Sequence, residues 1–424
     1  MPIFDAKNET LSREILGQVQ IERLQAVLNR VQRNVSWYRR QLKEAGIGPG
    51  DVRSLDDLLR LPMTTGEALA EGYPYSMFAV PLREVIRLHS VPGPGGRMLV
   101  IGHTRNDVRQ WARLAARTLA AAGVSETDVV QICFGEGFFV EAMGFQYGAE
   151  LLGASVIPAP VHGIDEQIQV VRDYRATVLV STPTHARQLV HGLRERGIEP
   201  QSLHLRTCVL SRAMPGEPWR ESLEEGLFAK VFTSFGIPEV VAPGIAAECR
   251  HTEGMHVNED HVIVELIDPE SDQPVPDGHR GELVVTSLTR EGFPLLRYRT
   301  GYLTSMWRCP CPCGRTGALL QPILGWTDSR LLVNEVPVYP AEVERILSEV
   351  EHATPHFRLN LRTDETGETL EVQVGVDEKM FADKVRSLDL IRSQIMSALS
   401  ARWGTHVDVR LVEVGTLKEP PPAR

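Results

Sequence analysis

Residues 297–316 read Arg-Tyr-Arg-Thr-Gly-Tyr-Leu-Thr-Ser-Met-Trp-Arg-Cys-Pro-Cys-Pro-Cys-Gly-Arg-Thr. The second half of this stretch carries Cys309, Cys311 and Cys313, three of the chain's six cysteines. Cysteines one residue apart are poorly placed to staple a fold by disulfides, and a clustered set of thiols in a cytosolic protein points to a metal. In an extended segment the three side chains would project to one side, because strand side chains alternate. Upstream, Cys249 and His256 bracket the polar loop Cys249-Arg-His-Thr-Glu-Gly-Met-His256. Structural zinc takes four Cys or His ligands in a tetrahedron. The set Cys249, His256, Cys311 and Cys313 is therefore expected to hold zinc, with Cys309 and His251 in reserve. Four protein ligands leave no position for water, so such a site would tie two loops together and perform no chemistry. The competing reading is free surface thiols beside an unrelated histidine.

Around this stretch the residue pattern predicts an α/β protein. Residues 10–45 have a helical stripe of Leu24, Val27, Leu28, Val31 and Val35, and Asn106–Ala122 repeats it with Val108, Trp111, Leu114, Ala115 and Leu119. Short apolar runs at Val129–Cys133, Ser155–Pro158, Thr177–Ser181, Thr207–Leu210 and Lys230–Thr233 then alternate with helices, as in a largely parallel sheet. Residues 262–305 change to strand runs joined by turns, which predicts an antiparallel β unit. A boundary is expected near Gly325–Ser329. Residues 1–327 then form a large N-terminal domain of parallel α/β sheets plus the β unit, and residues 328–424 a small C-terminal α+β domain. In the small domain the pattern predicts helices at 340–350 and 383–403 and strands at 369–376 and 406–414.

Composition narrows the function classes. A chain of 424 residues can bury a large core and still form a second unit. A formal net charge of −10 gives little electrostatic support to nonspecific nucleic-acid binding. No apolar run is long enough to span a bilayer, and the start, MPIFDAKNETLSREIL, lacks a basic-then-apolar signal pattern. A cytoplasmic protein is expected.

Five segments carry a family resemblance: Asn34-Val-Ser-Trp-Tyr-Arg39, Gly148-Ala-Glu-Leu-Leu-Gly-Ala-Ser-Val-Ile-Pro158, Gly254-Met-His-Val-Asn-Glu-Asp260, Arg297-Tyr-Arg-Thr-Gly301 and Pro312-Cys-Gly-Arg-Thr316. Through them the chain resembles the phenylacetate–CoA ligase group of aryl-CoA ligases, within the acyl-adenylate-forming superfamily. The similarity runs from about residue 10 into the C-terminal domain. It implies a large adenylate-forming-type domain and a small mobile one. It also implies ATP-driven adenylation of an aromatic carboxylate, followed by transfer to the thiol of CoA, and relatives are often dimers.

Position by position, the resemblance breaks at several separate places where ATP would be held. The family's phosphate loop is rich in Ser, Thr and Gly and ends in Lys, and its hydroxyls and N–H groups cradle phosphates. Here it reads Val91-Pro-Gly-Pro-Gly-Gly-Arg97. Gly93, Gly96 and the cation Arg97 remain, the hydroxyls are gone, and Pro92 and Pro94 have no N–H. The next motif reads Phe235-Gly-Ile-Pro-Glu239, so Gly236 and the Mg²⁺-binding Glu239 are kept while Pro238 replaces a hydroxyl. The adenine-side loop is Arg212-Ala-Met-Pro215, so Ala213, Met214 and Pro215 stand at the cofactor positions. The Asp that holds the ribose is replaced by Tyr302, and the hinge arginine by Trp326. Lys418 lies outside the context of the family's catalytic lysine. A single phosphate contact of this type is worth roughly 10²–10³ in rate, so several losses together predict that ATP and Mg²⁺ are not used.

The aryl-binding scaffold is kept. Phe134, Gly135 and Phe138 lie where the family lines its aromatic pocket, although an ordinary core role for the phenylalanines stays open. Cys133 could carry an acyl group if its pKa were lowered, or be a buried core cysteine. His89 could be a base or a structural histidine, and Glu136 and Glu141 could recognise an amino substituent or be solvated. The expected function is transfer of an aromatic acyl group, anthraniloyl or similar, from CoA to the phosphopantetheine thiol of an acyl carrier protein in secondary metabolism. An ATP-dependent aryl-CoA ligase is the alternative, and a catalytically inactive partner protein the third reading. Expected partners are an aryl-CoA and a carrier protein, with a possible homodimer and neither nucleic acid nor membrane.

Overall fold

A computed structural model describes residues 3–93, 97–134, 139–158, 163–211, 219–350, 353–376, 385–404, 406–413 and 417. The chain divides into two compact units between Asp328 and Ser329.

The larger unit is organised on a nine-stranded mixed sheet, in the order Met306–Trp307, Leu319–Leu320, Thr252–Val257, Val241–Cys249, Lys230–Ile237, Thr207–Ser211, Val178–Ser181, Val129–Cys133, Ser155–Pro158. The last five strands pair in parallel and the first four are antiparallel. Val178–Ser181, Thr207–Ser211 and Val241–Cys249 are buried at every residue, as expected of strands covered on both faces. The predicted parallel core is thus present. The segment read as a polar loop from Cys249 to His256 is instead a tight hairpin, with Cys249 paired to Thr252. Its first strand, Val-Ala-Pro-Gly-Ile-Ala-Ala-Glu-Cys, is poor in β-branched residues, so its strand character comes from burial rather than propensity.

Residues 262–304 form the expected antiparallel unit. Val262–Ile267, Gly281–Ser287 and Tyr298–Thr304 pair in succession, and Gly325–Trp326 adds an edge. A separate hairpin, Val85–Pro92 with Met98–Thr104, pairs Pro92 with Met98. In its first strand Arg87, His89 and Val91 are the less exposed residues, while Ile86, Leu88 and Ser90 face out. Helix Arg105–Ala121 follows. Thr104 Oγ1 accepts from the N–H of Asp107 at 3.1 Å, and Asp107 Oδ2 accepts from the N–H of Thr104 at 2.9 Å, a reciprocal cap. Asp107 also accepts the N–H groups of Glu291 and Gly292 at 2.7 and 2.9 Å, which binds loop 290–292 to the helix start.

In the smaller unit, Glu368–Val376 is the central strand, antiparallel to Phe357–Thr363 and parallel to Val407–Glu413. Helices Pro340–Glu349 and Val385–Trp403 bring Val343, Leu347, Ile395 and Leu399 onto Leu370, Val372 and Val374.

Candidate active site and metal centre

The stretch from Arg297 is first of all a structural clasp. Arg297 has φ +42 and makes a two-pronged ion pair with Glu265 at 3.1 and 2.9 Å, and it also donates to the carbonyls of Leu59 and Leu61. Arg299 pairs with Glu282 at 3.1 and 2.5 Å, and Glu282 also accepts from the N–H of Gly301 at 3.1 Å. These pins fix the strand that carries Tyr302. Its ring meets Phe235 edge to face with centroids 5.6 Å apart, and Trp326 is its cross-strand partner. An aromatic group therefore occupies the position where the resemblance expects a carboxylate.

Glu239 lies in the turn between Lys230–Ile237 and Val241–Cys249, where Tyr298 donates its hydroxyl to Oε1 at 3.4 Å. Gly236 is required by packing, because a Cβ there would lie 2.5 Å from the carbonyl oxygen of Val241. Gly93 donates its N–H to the carbonyl of Arg97 at 2.7 Å, closing the described part of the phosphate-loop turn. Gly96, Ala213, Met214, Pro215, Gly135, Glu136 and Phe138 lie outside the described residues.

The ring of His89 lies tilted by 35° against His103 with centroids 4.8 Å apart, and His103 stacks on Trp111 at 5.2 Å. Burial, reinforced by Arg290 and Arg87, pushes His89 down to about 4. Burial therefore weakens His89 as a base and favours the structural reading. Cys133 needs a firmer correction. It is fully buried within a core cluster, accepts from Gln131 Nε2 at 3.0 Å, and burial pushes its thiol up to about 11. A nucleophilic cysteine needs the opposite shift and an open face. Phe134 is buried and stacks on Phe145 at 5.9 Å. Glu141 is buried as well and accepts from Ser211 Oγ at 3.1 Å, so it is not a solvated side chain.

The four expected metal ligands do converge. Cys249, His256, Cys311 and Cys313 place their ligand atoms within 4.8 Å of one another. Cys249 Sγ lies 3.6 Å from Cys311 Sγ, and Cys313 Sγ lies 3.3 Å from His256 Nε2. A zinc tetrahedron with Zn–S near 2.3 Å requires sulfurs about 3.8 Å apart, so the set fits the metal. The N–H groups of His251 and Arg315 each donate to a thiol sulfur at 3.4 Å, and the Gly317 carbonyl lies 3.4 Å from His256 Nδ1. That carbonyl favours the tautomer with Nε2 facing the thiols. Cys309 and His251 are exposed and stand outside the set.

Sequence reasoning missed the buried network on which these loops rest. Asp260 holds Arg117 with two bonds of 2.7 and 3.0 Å. Glu259 pairs with Arg13 and accepts the N–H of Ala318 at 2.7 Å. Glu9 accepts from Arg315 Nε at 2.6 Å. The segment Gly254–Asp260 was legible as a family marker, but its partners lie up to 246 residues away.

A mixed sheet with a hairpin before it, an antiparallel β unit and a small C-terminal α+β unit make up the fold of the acyl-adenylate-forming enzymes. The AMP-binding enzyme model matches residues 98–289, and the AMP-binding enzyme C-terminal domain matches residues 335–420. Within that class the chain belongs to the phenylacetate–CoA ligase family. It is 39% identical to the phenylacetate-coenzyme A ligase of Thermus thermophilus, over 90% of this chain and 86% of that protein. It is 34% identical to the phenylacetate-coenzyme A ligase of Escherichia coli, over 96% and 93%. The crystal structure of 2-hydroxyisobutyryl-CoA ligase with 2-HIB-AMP and CoA superposes with a TM-score of 0.92 at 26% identity, covering 99% of this chain and 90% of that one.

Proposed function

We propose that the chain is an aryl-CoA enzyme of the acid–thiol ligase kind in which thioester chemistry has outlived adenylation. It passes an aromatic acyl group from CoA to a second thiol, the phosphopantetheine of a carrier protein. Anthraniloyl is the favoured group, as in the anthraniloyl-CoA to carrier-protein transferase of aurachin biosynthesis. The observation that carries this reading is the Phe235–Tyr302 pair, 5.6 Å apart, where a nucleotide-using relative would present a carboxylate to ribose. In the step itself the acceptor thiolate adds to the thioester carbonyl, and the C–S bond to CoA breaks as the tetrahedral intermediate collapses. The departing thiolate takes up the proton that the acceptor thiol released. Thiol-to-thiol exchange of this kind is close to thermoneutral and needs no ATP. Transfer is direct, without an acyl group on Cys133. Cys249, His256, Cys311 and Cys313 would hold a zinc whose part is to fix the two loops.

The near-full-length identity to two phenylacetate-coenzyme A ligases and the retained Glu239 favour a second reading, an ATP-dependent aryl-CoA ligase. One experiment separates them. Purified protein is mixed with anthraniloyl-CoA and a carrier protein without ATP, and separately with ATP, an aromatic acid and CoA. Carrier mass and pyrophosphate are measured. Acylated carrier in the first mixture supports transfer, and pyrophosphate in the second supports ligation. No carrier acylation with any aryl-CoA overturns the transfer reading. Silence in both mixtures, with carrier retained in a pull-down, would favour an inactive partner.

A further inference from the structure

Helices Arg13–Asn34 and Arg105–Ala121 and loop 288–291 line an open cavity of about 390 Å³, which shares no residue with the candidate ATP, aryl or metal ligands. Its wall carries Arg23, Arg30, Arg113 and Arg290 against two carboxylates, Asp5 and Glu291. Four cations less two anions leave +2, in a chain whose net charge is −10.

The acids are already engaged. Asp5 accepts from Arg113 at 2.8 Å and from Arg117 at 2.7 Å, and Glu291 accepts from Thr104 Oγ1 at 2.9 Å. Among the described residues Arg30 makes a loose 3.7 Å pair with Glu291, and Arg23 a 3.6 Å pair with Asp260, to whose carbonyl it also donates. Arg290 is 7% exposed and donates through Nη1 to His103 Nδ1 at 2.7 Å. Its Nε and Nη2 are buried without a hydrogen-bond partner among the described residues. Buried donors in this condition are costly unless an acceptor reaches them.

We propose that this cavity binds a phosphorylated small molecule through its phosphate oxygens. A dianion answers the net +2 where a single carboxylate would not, and guanidinium groups hold phosphate oxygens in pairs. The volume lies in the usual range for small-ligand pockets. A second cavity of about 10 Å³ shares Gln110, His261, Thr289 and Arg290 with the first and is walled by Trp111 and Val240. Arg290 therefore stands between the arginine cavity and the turn that carries Glu239. Through His103 it also touches the ring group that includes His89.

The test is calorimetric titration of the full chain with inorganic pyrophosphate, repeated with adenosine 3′,5′-bisphosphate, the nucleotide end of CoA. The expected result is one site that weakens with salt. Affinity should fall about tenfold or more in Arg23→Gln and in Arg30→Gln, the loss of a charged hydrogen bond. It should be kept in Arg97→Gln at the phosphate-loop turn. Circular dichroism checks that each variant is folded. Bisphosphate binding with the same dependence assigns the cavity to CoA, and pyrophosphate binding alone assigns it to a free anion. No heat with either probe, or binding that survives Arg23→Gln and Arg30→Gln but not Arg97→Gln, overturns the proposal.

Discussion

Tyr302 and Phe235 meet edge to face, and any carboxylate placed at residue 302 would share that space with an aromatic ring. Such a pair is worth about 0.5–1.5 kcal/mol beyond its buried area. Tyr302→Asp is therefore expected to lower stability by about 1–3 kcal/mol, read from urea unfolding, once a poorly solvated carboxylate is included. It should not by itself give ATP-dependent pyrophosphate release, because Pro238 and the proline-rich phosphate loop remain. Cys133→Ala tests the corrected role of that thiol. Carrier acylation should continue at the wild-type rate, measured by mass spectrometry, while stability falls by about 1 kcal/mol for the lost packing. At this scale the metal ligands were legible because their types and spacing are distinctive. Arg290 and His103 were not, since 187 residues separate them and neither sits in a motif.

The elements divide in a similar way. The parallel strands could be read because they are continuous apolar runs, and the long helices because their stripes recur every three or four residues. The hairpin Val85–Pro92 with Met98–Thr104 went unread, since Arg87 and His89 occupy its inner face where an apolar pattern was sought. Strand Phe357–Thr363 was missed because Arg358, Asn360 and Arg362 interrupt its apolar residues on a half-exposed edge. The hairpin ending at Cys249 and the Cys311–Cys313 loop are expected to depend on each other. Cys313→Ser, or prolonged chelation, should remove one zinc per chain by elemental analysis and lower the unfolding midpoint. Full metal content in Cys313→Ser would count against the quartet. In the small unit, Val372 is wholly buried at the centre of its sheet, so Val372→Ala should cost about 2 kcal/mol in denaturant unfolding.

Across the whole molecule, buried histidines set the response to acid. Burial holds His89, His185 and His261 down to about 4, below the unfolded value of 6.5. Between those values the unfolded chain binds more protons than the folded one, so stability rises with pH there. The contribution is fully present above pH 6.5 and is lost as pH falls toward 4. Urea midpoints measured from pH 7 to pH 5 should fall, and His185→Gln should flatten the slope. The ion pairs of the N-terminal segment have another consequence, in time. Glu9 waits for Arg315 and Arg13 waits for Glu259, partners 306 and 246 residues further on. At about 5–20 residues per second a ribosome takes about 15–60 s to deliver Arg315 after Glu9. For that interval Glu9 and Arg13 lack these partners, although Asp5 can already meet Arg113 and Arg117, so the segment is secured in two stages during synthesis.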